Sequence, residues 1–192
     1  GSYTVSLSIN DQYGCSDFIS KTNYVRIADA RADFSVSDTV GNCPPLVVNF
    51  TNTATNYSSI IWNFGDGSTS SSFSPSHFYA TPGTFHAVLT VKGPGGCTDQ
   101  KSVQIRVKGP TGSFAYTNIS GCKPLQTNFK ATTAPHTSFV WDFSDGTTLV
   151  TPDSIVSHSF KTAGAYLPKM ILVDAQGCKV PVTGKDSIKV FE

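Results

Sequence analysis

The chain has 192 residues, a formal net charge of +1 and 39% hydrophobic residues. Because its lysines and arginines are scattered among acidic residues, it offers no basic face for nucleic acid, and we exclude that partner. No stretch approaches the roughly 20 apolar residues of a membrane span, and an abundance of Thr, Ser, Val, Phe and Tyr favours β structure over helix.

The first 27 residues contain a strand pattern and belong to a repeat. Tyr3, Val5, Leu7 and Ile9 alternate with polar residues, which is typical of a half-buried strand. The whole stretch 1–27 aligns with two later stretches, each of which starts at a glycine followed by an aromatic strand and contains a cysteine in a glycine-rich turn. We therefore predict that 1–27 is the C-terminal part of a preceding repeat.

Two complete repeats follow, at 28–107 and 108–192. Their shared landmarks recur at nearly constant offsets: Cys43 and Cys122, Trp62 and Trp141, Asp66 and Asp145, His77 and His158, Gly83 and Gly164, and Cys97 and Cys178. Each repeat has roughly seven short strands separated by Gly and Pro turns, which predicts an all-β protein of tandem immunoglobulin-like sandwiches. The linkers, 28–32 and 108–112, are too short for a flexible tether.

The second repeat departs from the pattern at Pro168, which stands where Ala87 stands in the first repeat. Proline cannot donate a hydrogen bond to a strand ladder, so this strand should lie at an edge or be bulged at that residue.

The five cysteines fit the repeat, since each complete repeat has one near its start and one after its long strand. We predict the disulfides Cys43–Cys97 and Cys122–Cys178 within the repeats, with Cys15 unpaired because its partner precedes the chain. Free thiols and a metal site are the alternatives, although no Cys-x-x-Cys pair or suitably spaced His supports a metal. Disulfides would place the protein in an oxidising compartment.

The segment WNFGDG at 62–67, followed by SPSHFYATPGTFHAVLTV, resembles the polycystic kidney disease (PKD) domain family. The second copy, which begins with WDFSDG at 141–146, is similar but carries more substitutions. The resemblance implies an immunoglobulin-like sandwich that is generally a non-catalytic extracellular module. Such modules occur in arrays on large cell-surface proteins and beside secreted proteases or polysaccharide hydrolases. The paired cysteines and close tandem copies look most like surface proteins of gliding and surface-colonising bacteria.

The acidic turns are the candidate sites, and we interpret them as structural. Asp66 and Asp145 can accept hydrogen bonds from nearby backbone N–H groups, and Gly67 and Gly146 allow positive φ. We expect the aromatic and histidine residues beside the turns to fill the core: Trp62, Phe64, His77, Trp141, Phe143 and His158. Calcium binding at the turn oxygens is the alternative, and no other cofactor or metal is expected. Catalysis is not expected, because no nucleophile with a base and no carboxylate pair in a cleft is evident.

These features predict a non-catalytic, extracellular repeat segment of a large bacterial surface protein, acting as a semi-rigid stalk or adhesion module. Its partners would be neighbouring PKD-like repeats and possible surface glycans or other cell-surface proteins. One alternative is an accessory module of a secreted protease or polysaccharide hydrolase. Another is an assembly protein in which 1–27 completes its sandwich against a neighbouring chain.

Overall fold

The computed structural model describes residues 1–26, 29–134 and 138–192, and these residues contain strands and no α-helix. The strands are β1 Ser2–Asn10, β2 Ser16–Arg26, β3 Phe34–Val36, β4 Val40–Gly41, β5 Leu46–Asn52, β6 Ser59–Asn63, β7 Thr69–Ser70, β8 Ser76–Tyr79, β9 Gly83–Lys92, β10 Thr98–Val107, β11 Thr111–Thr117, β12 Ser120–Cys122, β13 Leu125–Ala134, β14 Ser138–Asp142, β15 Thr148–Thr151, β16 Ile155–Phe160, β17 Gly164–Tyr166, β18 Lys169–Val173, β19 Lys179–Thr183 and β20 Ile188–Phe191. The predicted all-β, immunoglobulin-like fold is confirmed.

The first repeat forms two sheets. One has the order β4-β10-β9-β6-β7 and the other the order β3-β5-β8. The pairs β3–β5, β5–β8, β6–β7 and β6–β9 are antiparallel, whereas β4 runs parallel to the end of β10 through Arg106↔Val40 and Val107↔Gly41. Buried residues alternate with more exposed ones along β5 and with partly buried ones in the second half of β9, as one core face per sheet requires.

The described chain divides into two compact units. The first consists of Gly1–Val36, Phe50–Pro75 and Ala87–Val103. Its centre is an aromatic cluster in which Trp62 packs edge-on against Phe34 and tilted against Phe50, at centroid distances of 5.1 and 5.3 Å.

The same unit contains the β1–β2 hairpin, which is a separate two-stranded antiparallel sheet. Every residue of both strands is exposed, including the apolar ones that the alternation predicted to face a core. The predicted boundary between 27 and 28 lies outside the described residues.

The second unit consists of Ser37–Asn49, Ser76–His86 and Gln104–Glu192. Within it, residues 111–191 form three sheets with the orders β11-β13-β16, β12-β20-β17 and β15-β14-β18-β19. Their core is one cluster of buried residues: Phe114, Phe129, Ala131, Phe139, Trp141, Phe143, Phe160, Met170, Leu172, Val180, Ile188 and Val190.

Pro168 interrupts the long strand of the second repeat, leaving β17 before it and β18 after it. The edge position is found for β17, which is the outer strand of its sheet, and is wrong for β18, which lies between β14 and β19. The proline is accommodated by the break itself, and its carbonyl accepts a hydrogen bond from the N–H of Gly184, 2.8 Å away. One long ladder is thereby divided between two sheets.

Candidate functional site

The acidic turn of the second repeat follows β14 and is held by its own carboxylates. The Ser144 N–H donates to Asp142 Oδ1 at 2.8 Å, and the Thr147 N–H donates to Asp145 Oδ1 at 3.0 Å. Ser144 and Gly146 have left-handed φ values of 62° and 92°. The two carboxylates thus accept hydrogen bonds from backbone N–H groups of the turn, which have no partner in the strand pairing of the sheet.

His158, on β16, fastens this turn to the neighbouring sheet. Its Nε2 lies 2.7 Å from Asp145 Oδ2, and its ring stacks on Phe143 with centroids 4.0 Å apart and packs edge-on against Phe160. Burial raises the pKa of Asp145, but hydrogen bonds from Thr147 and His158 and the charge of the imidazolium outweigh it and hold that pKa below its ordinary value. The ionised carboxylate is therefore the form that the fold stabilises.

The grouping of a hydroxyl, an imidazole and a carboxylate does not form a nucleophilic relay. A relay places the nucleophile on one ring nitrogen and the orienting acid on the other. Here Thr147 Oγ1 and Asp145 Oδ2 both face Nε2 of His158, at 3.4 and 2.7 Å, and Thr147 donates its proton to Asp145 at 2.6 Å. The hydroxyl is thereby engaged by the carboxylate, and the arrangement locks the turn.

The turn of the first repeat uses the same geometry with different residues. The Gly65 N–H donates to Asn63 Oδ1 at 2.9 Å, and the Ser68 N–H donates to Asp66 Oδ1 at 3.0 Å. Gly65 and Gly67 have φ values of 83° and 95°. An amide oxygen thus replaces the carboxylate at the first position, because the turn needs only an acceptor there.

The predicted core aromatics lie where the sandwich needs them. Four are buried: Trp62, Phe64, Trp141 and Phe143. His77 is partly buried and packs edge-on against Tyr79, with centroids 4.7 Å apart. The two tryptophans differ in one respect: Trp62 Nε1 donates to the Ser72 carbonyl at 3.0 Å, whereas the buried Trp141 Nε1 has no hydrogen-bond partner among the described residues.

The cysteine pairing predicted from sequence is wrong. The structure joins Cys43 to Cys178, with Cα atoms 5.4 Å apart, and leaves Cys97 as an exposed thiol. The strand β10 explains why. Cys97 lies just before Thr98, the first residue of β10. Cys43 lies near the other end of β10, because it follows Gly41, which pairs with Val107, the last residue of that strand. Ten residues at about 3.3 Å each separate these ends by roughly 30 Å, far beyond the reach of about 7 Å that a disulfide allows.

The second predicted pair is wrong as well, because Cys178 is bonded to Cys43. Cys178 precedes β19, whereas Cys122 lies beside Phe191, the last residue of β20. Cys122 and Cys15 are exposed thiols. The observed disulfide therefore connects the first repeat to the second, and both of its cysteines lie in the second compact unit.

An open cleft of about 760 Å³ lies beside the disulfide. Its lining includes Cys43, the cations of Arg106 and Lys108, and the polar side chains of Asp174 and Gln176. Asp174 is already engaged, because its Oδ1 accepts hydrogen bonds from the N–H groups of Gln176 and Cys178. The described lining residues include no aromatic ring, whereas small-molecule pockets are usually lined by apolar and aromatic side chains.

Within 1–26, 29–134 and 138–192, no group of three or more His, Cys, Asp or Glu side chains is placed to hold a metal ion. The same residues contain no helix that is long and apolar enough to cross a membrane.

Comparison with known proteins identifies related sequences and structures. The PKD domain family model matches residues 29–107 and 110–190. Collagenase ColA of Bacillus cereus is 42% identical over 50 residues, which cover 26% of this chain and 5% of the collagenase. The chain thus spans a small fraction of that relative's length.

Two solved structures are similar to parts of the chain. The PKD1 domain of the Vibrio cholerae metalloprotease PrtV is 28% identical, with a TM-score of 0.38, and the match covers 43% of this chain and 100% of that domain. The PKD1 domain of Vibrio anguillarum Epp is 26% identical, with a TM-score of 0.37, and the match covers 42% of this chain and 95% of that domain.

Proposed function

Because the chain belongs to the PKD domain family and contains two tandem copies of that domain, we propose that it is a non-catalytic, extracellular stalk segment of a large bacterial surface protein. Its repeats hold a distal part at a distance and resist pulling. The disulfide between Cys43 and Cys178 is the observation that carries this proposal, because it adds a second covalent connection to the peptide linker. A disulfide also fits an oxidising, extracellular location.

The linker itself supports restricted motion. The Lys108 N–H donates to the Gly41 carbonyl at 2.8 Å, and the next strand begins at Thr111. A Cβ added at Gly109 would lie 3.0 and 3.1 Å from side-chain atoms of Pro82 and Pro44. The linker is therefore packed against the first repeat as far as Gly109, and the second repeat begins its first strand at Thr111. Few rotatable bonds remain between the repeats.

Small-angle X-ray scattering of the oxidised chain tests the stalk. We expect the profile to fit one arrangement of the two repeats, and the Cys43→Ser/Cys178→Ser variant to require a broader set of arrangements. Cys97→Ser is the matched control, because it removes an exposed thiol and keeps the disulfide. An oxidised chain whose scattering fits only a broad ensemble would contradict a semi-rigid stalk.

Adhesion is a separate part of the proposal. Exposed apolar side chains, such as Phe73 after β7 and Leu149 on β15, would contact surface glycans or other cell-surface proteins. Retention of the chain on immobilised glycans, lost on substitution of Phe73 by Ser, would support direct binding. No retention would limit the role to spacing.

A second candidate is an accessory module of a secreted hydrolase, and the match to collagenase ColA favours it. The complete reading frame around this chain separates the two candidates. Many further PKD repeats favour the stalk, whereas an adjacent catalytic domain favours the accessory role.

The proposed function needs no metal or other cofactor, because the turn carboxylates are occupied by backbone, hydroxyl and imidazole donors. We expect the same Tm in excess EDTA and in excess calcium. A rise of several degrees with calcium would indicate that the turns bind it.

A further inference from the structure

The cysteines occupy two kinds of position, at opposite ends of the repeat. Cys15, Cys97 and Cys178 lie in the turn that precedes β2, β10 or β19, and we call them hairpin cysteines. Cys43 and Cys122 lie near the end of the last strand, and we call them end cysteines. The observed disulfide joins one end cysteine to the hairpin cysteine of the next repeat along the chain.

The bonded hairpin cysteine, Cys178, is held in a defined turn. The Asp174 N–H donates to the Cys178 carbonyl at 3.2 Å, and the Gly177 N–H donates to the Asp174 carbonyl at 3.0 Å. Gly177 has a φ of 81°, and the Cys178 N–H donates to Asp174 Oδ1 at 2.9 Å.

The other two hairpin cysteines are presented in the same turn. In 11–15 and 93–97, the N–H of the first residue donates to the cysteine carbonyl at 2.9 and 2.8 Å, and the glycine N–H donates back at 3.2 and 3.0 Å. The glycine φ is 87° in both turns. Cys15 also donates its N–H to Asp11 Oδ1 at 2.9 Å, as Cys178 does to its own aspartate. Their exposed thiols thus have the backbone geometry of the bonded one.

The two end cysteines follow corresponding glycines, with an offset of one residue. Gly41 pairs with Val107 and Gly121 with Val190, each in a parallel ladder that closes the repeat. A Cβ added at either glycine would meet the leucine that opens the next strand, Leu46 or Leu125. The second repeat has one residue fewer between this glycine and the cysteine, so Cys122 belongs to the ladder and its side chain is exposed.

In the first repeat the end cysteine and the hairpin cysteine are separated by the length of β10, roughly 30 Å, and cannot bond to each other. In the second repeat the hairpin cysteine, Cys178, is already bonded to Cys43. Each repeat therefore carries two thiols that can be satisfied only by other repeats. Because the two positions are different surfaces, the connection is head-to-tail and propagates along an array rather than closing a dimer.

From these correspondences we propose that Cys122 is a docking and cross-linking site for the hairpin cysteine of a PKD repeat of this type that follows it in an array, as Cys178 follows Cys43. Cys97 and Cys15 are the matching groups for the end cysteine of a repeat on their other side. The occupant is a further copy of the repeat, presented as the turn at 174–178 is presented to Cys43. This inference concerns the partner of a site and does not depend on the stalk function.

The bond forms by oxidation of two thiols. The Sγ–H bonds of Cys122 and of the hairpin cysteine are lost, and one Sγ–Sγ bond forms. A small-molecule disulfide such as oxidised glutathione accepts the two electrons and two protons and leaves as two thiols.

The test uses the chain through Val190, extended by one repeat. Residues 108–192 are appended after Val190, so that the junction reproduces the spacing that follows Val107. The protein is refolded in a glutathione redox buffer, alkylated with iodoacetamide and digested without reduction. We expect a peptide that links Cys122 to the appended copy's Cys178. The free-thiol count should stay at the parent chain's three, although two cysteines have been added.

Cys122→Ser is the control. It should free the appended hairpin thiol for alkylation while the Cys43–Cys178 peptide persists and the circular dichroism spectrum stays that of the folded chain. Alkylation of Cys122 in the extended protein, with the Cys43–Cys178 bond intact, overturns the proposal. A bond from Cys122 to Cys15, to Cys97 or to its counterpart in another molecule overturns it too, because it shows unselective oxidation.

Discussion

The disulfide between the repeats changes how tension would pass through the chain. Under a force applied at the two termini, an intact Cys43–Cys178 bond carries the load across the loop that it closes. The sequence separation of the two cysteines is 135, and all strands from β5 to β18 lie inside that loop. We therefore predict that these strands are shielded from tension until the bond is reduced.

The expected magnitude follows from the loop length. A fully extended chain spans at most about 3.6 Å per residue, so opening the loop should release about 480 Å of contour length. The folded loop contributes only the 5.4 Å between the two Cα atoms. In the chain-entropy model, the same loop stabilises the folded state by about 5 kcal/mol.

Single-molecule pulling from handles at the two termini measures this difference. The maximum extension of the oxidised chain should be about 480 Å shorter than that of the reduced chain. The Cys43→Ser/Cys178→Ser variant should reach full length without reductant, and Cys97→Ser should behave as the parent does. If the oxidised parent reaches the same full extension as the reduced chain, the bond does not lie in the load path and the reasoning is refuted.

Three further predictions concern stability. Trp62→Phe should lower the free energy of unfolding by about 1 kcal/mol more than Trp141→Phe does, because only the first removes an indole hydrogen bond. Denaturant unfolding measures both variants, and equal losses would contradict this. Gly146→Ala should lower the free energy of unfolding by about 1 kcal/mol, because the φ of Gly146 is 92° although the space around it is open. Gly95→Ala, also in open space, should change the stability little, and the urea midpoints of the two variants measure the difference. The folded-state pKa of Asp145 lies below its unfolded value of about 3.9, so its contribution is fully present above that pH and is lost as pH falls through the folded value. Asp145→Asn should therefore lose less stability than the parent between neutral and strongly acidic pH, and parallel pH profiles would argue against this role.

The acidic turns show why local features could be read from the sequence. The alternation of residues along β9, the glycines at positive φ and the acceptors at Asn63 and Asp142 act within a few residues of each other. Such short-range interactions determine the residue types at neighbouring positions, so the same pattern recurs in each repeat. The pairing of Asp145 with His158 was not predicted, because it joins a residue of the turn after β14 to a residue on β16. The recurrence of both residues in the repeat was the available signal.

The chain by itself determined the repeat, the all-β sandwich and the placement of aromatic residues in the core, because burial periodicity and turn chemistry are properties of neighbouring residues. Only the tertiary structure decided which cysteines meet. Bonding requires two Cα atoms within about 7 Å, and the length of β10 places the two cysteines of the first repeat at opposite ends, where the nearest partner of Cys43 belongs to the next repeat. The same holds for Pro168: only the tertiary structure decided that the strand breaks there, because β17 pairs with β20 at the edge of one sheet and β18 pairs with β14 and β19 inside another.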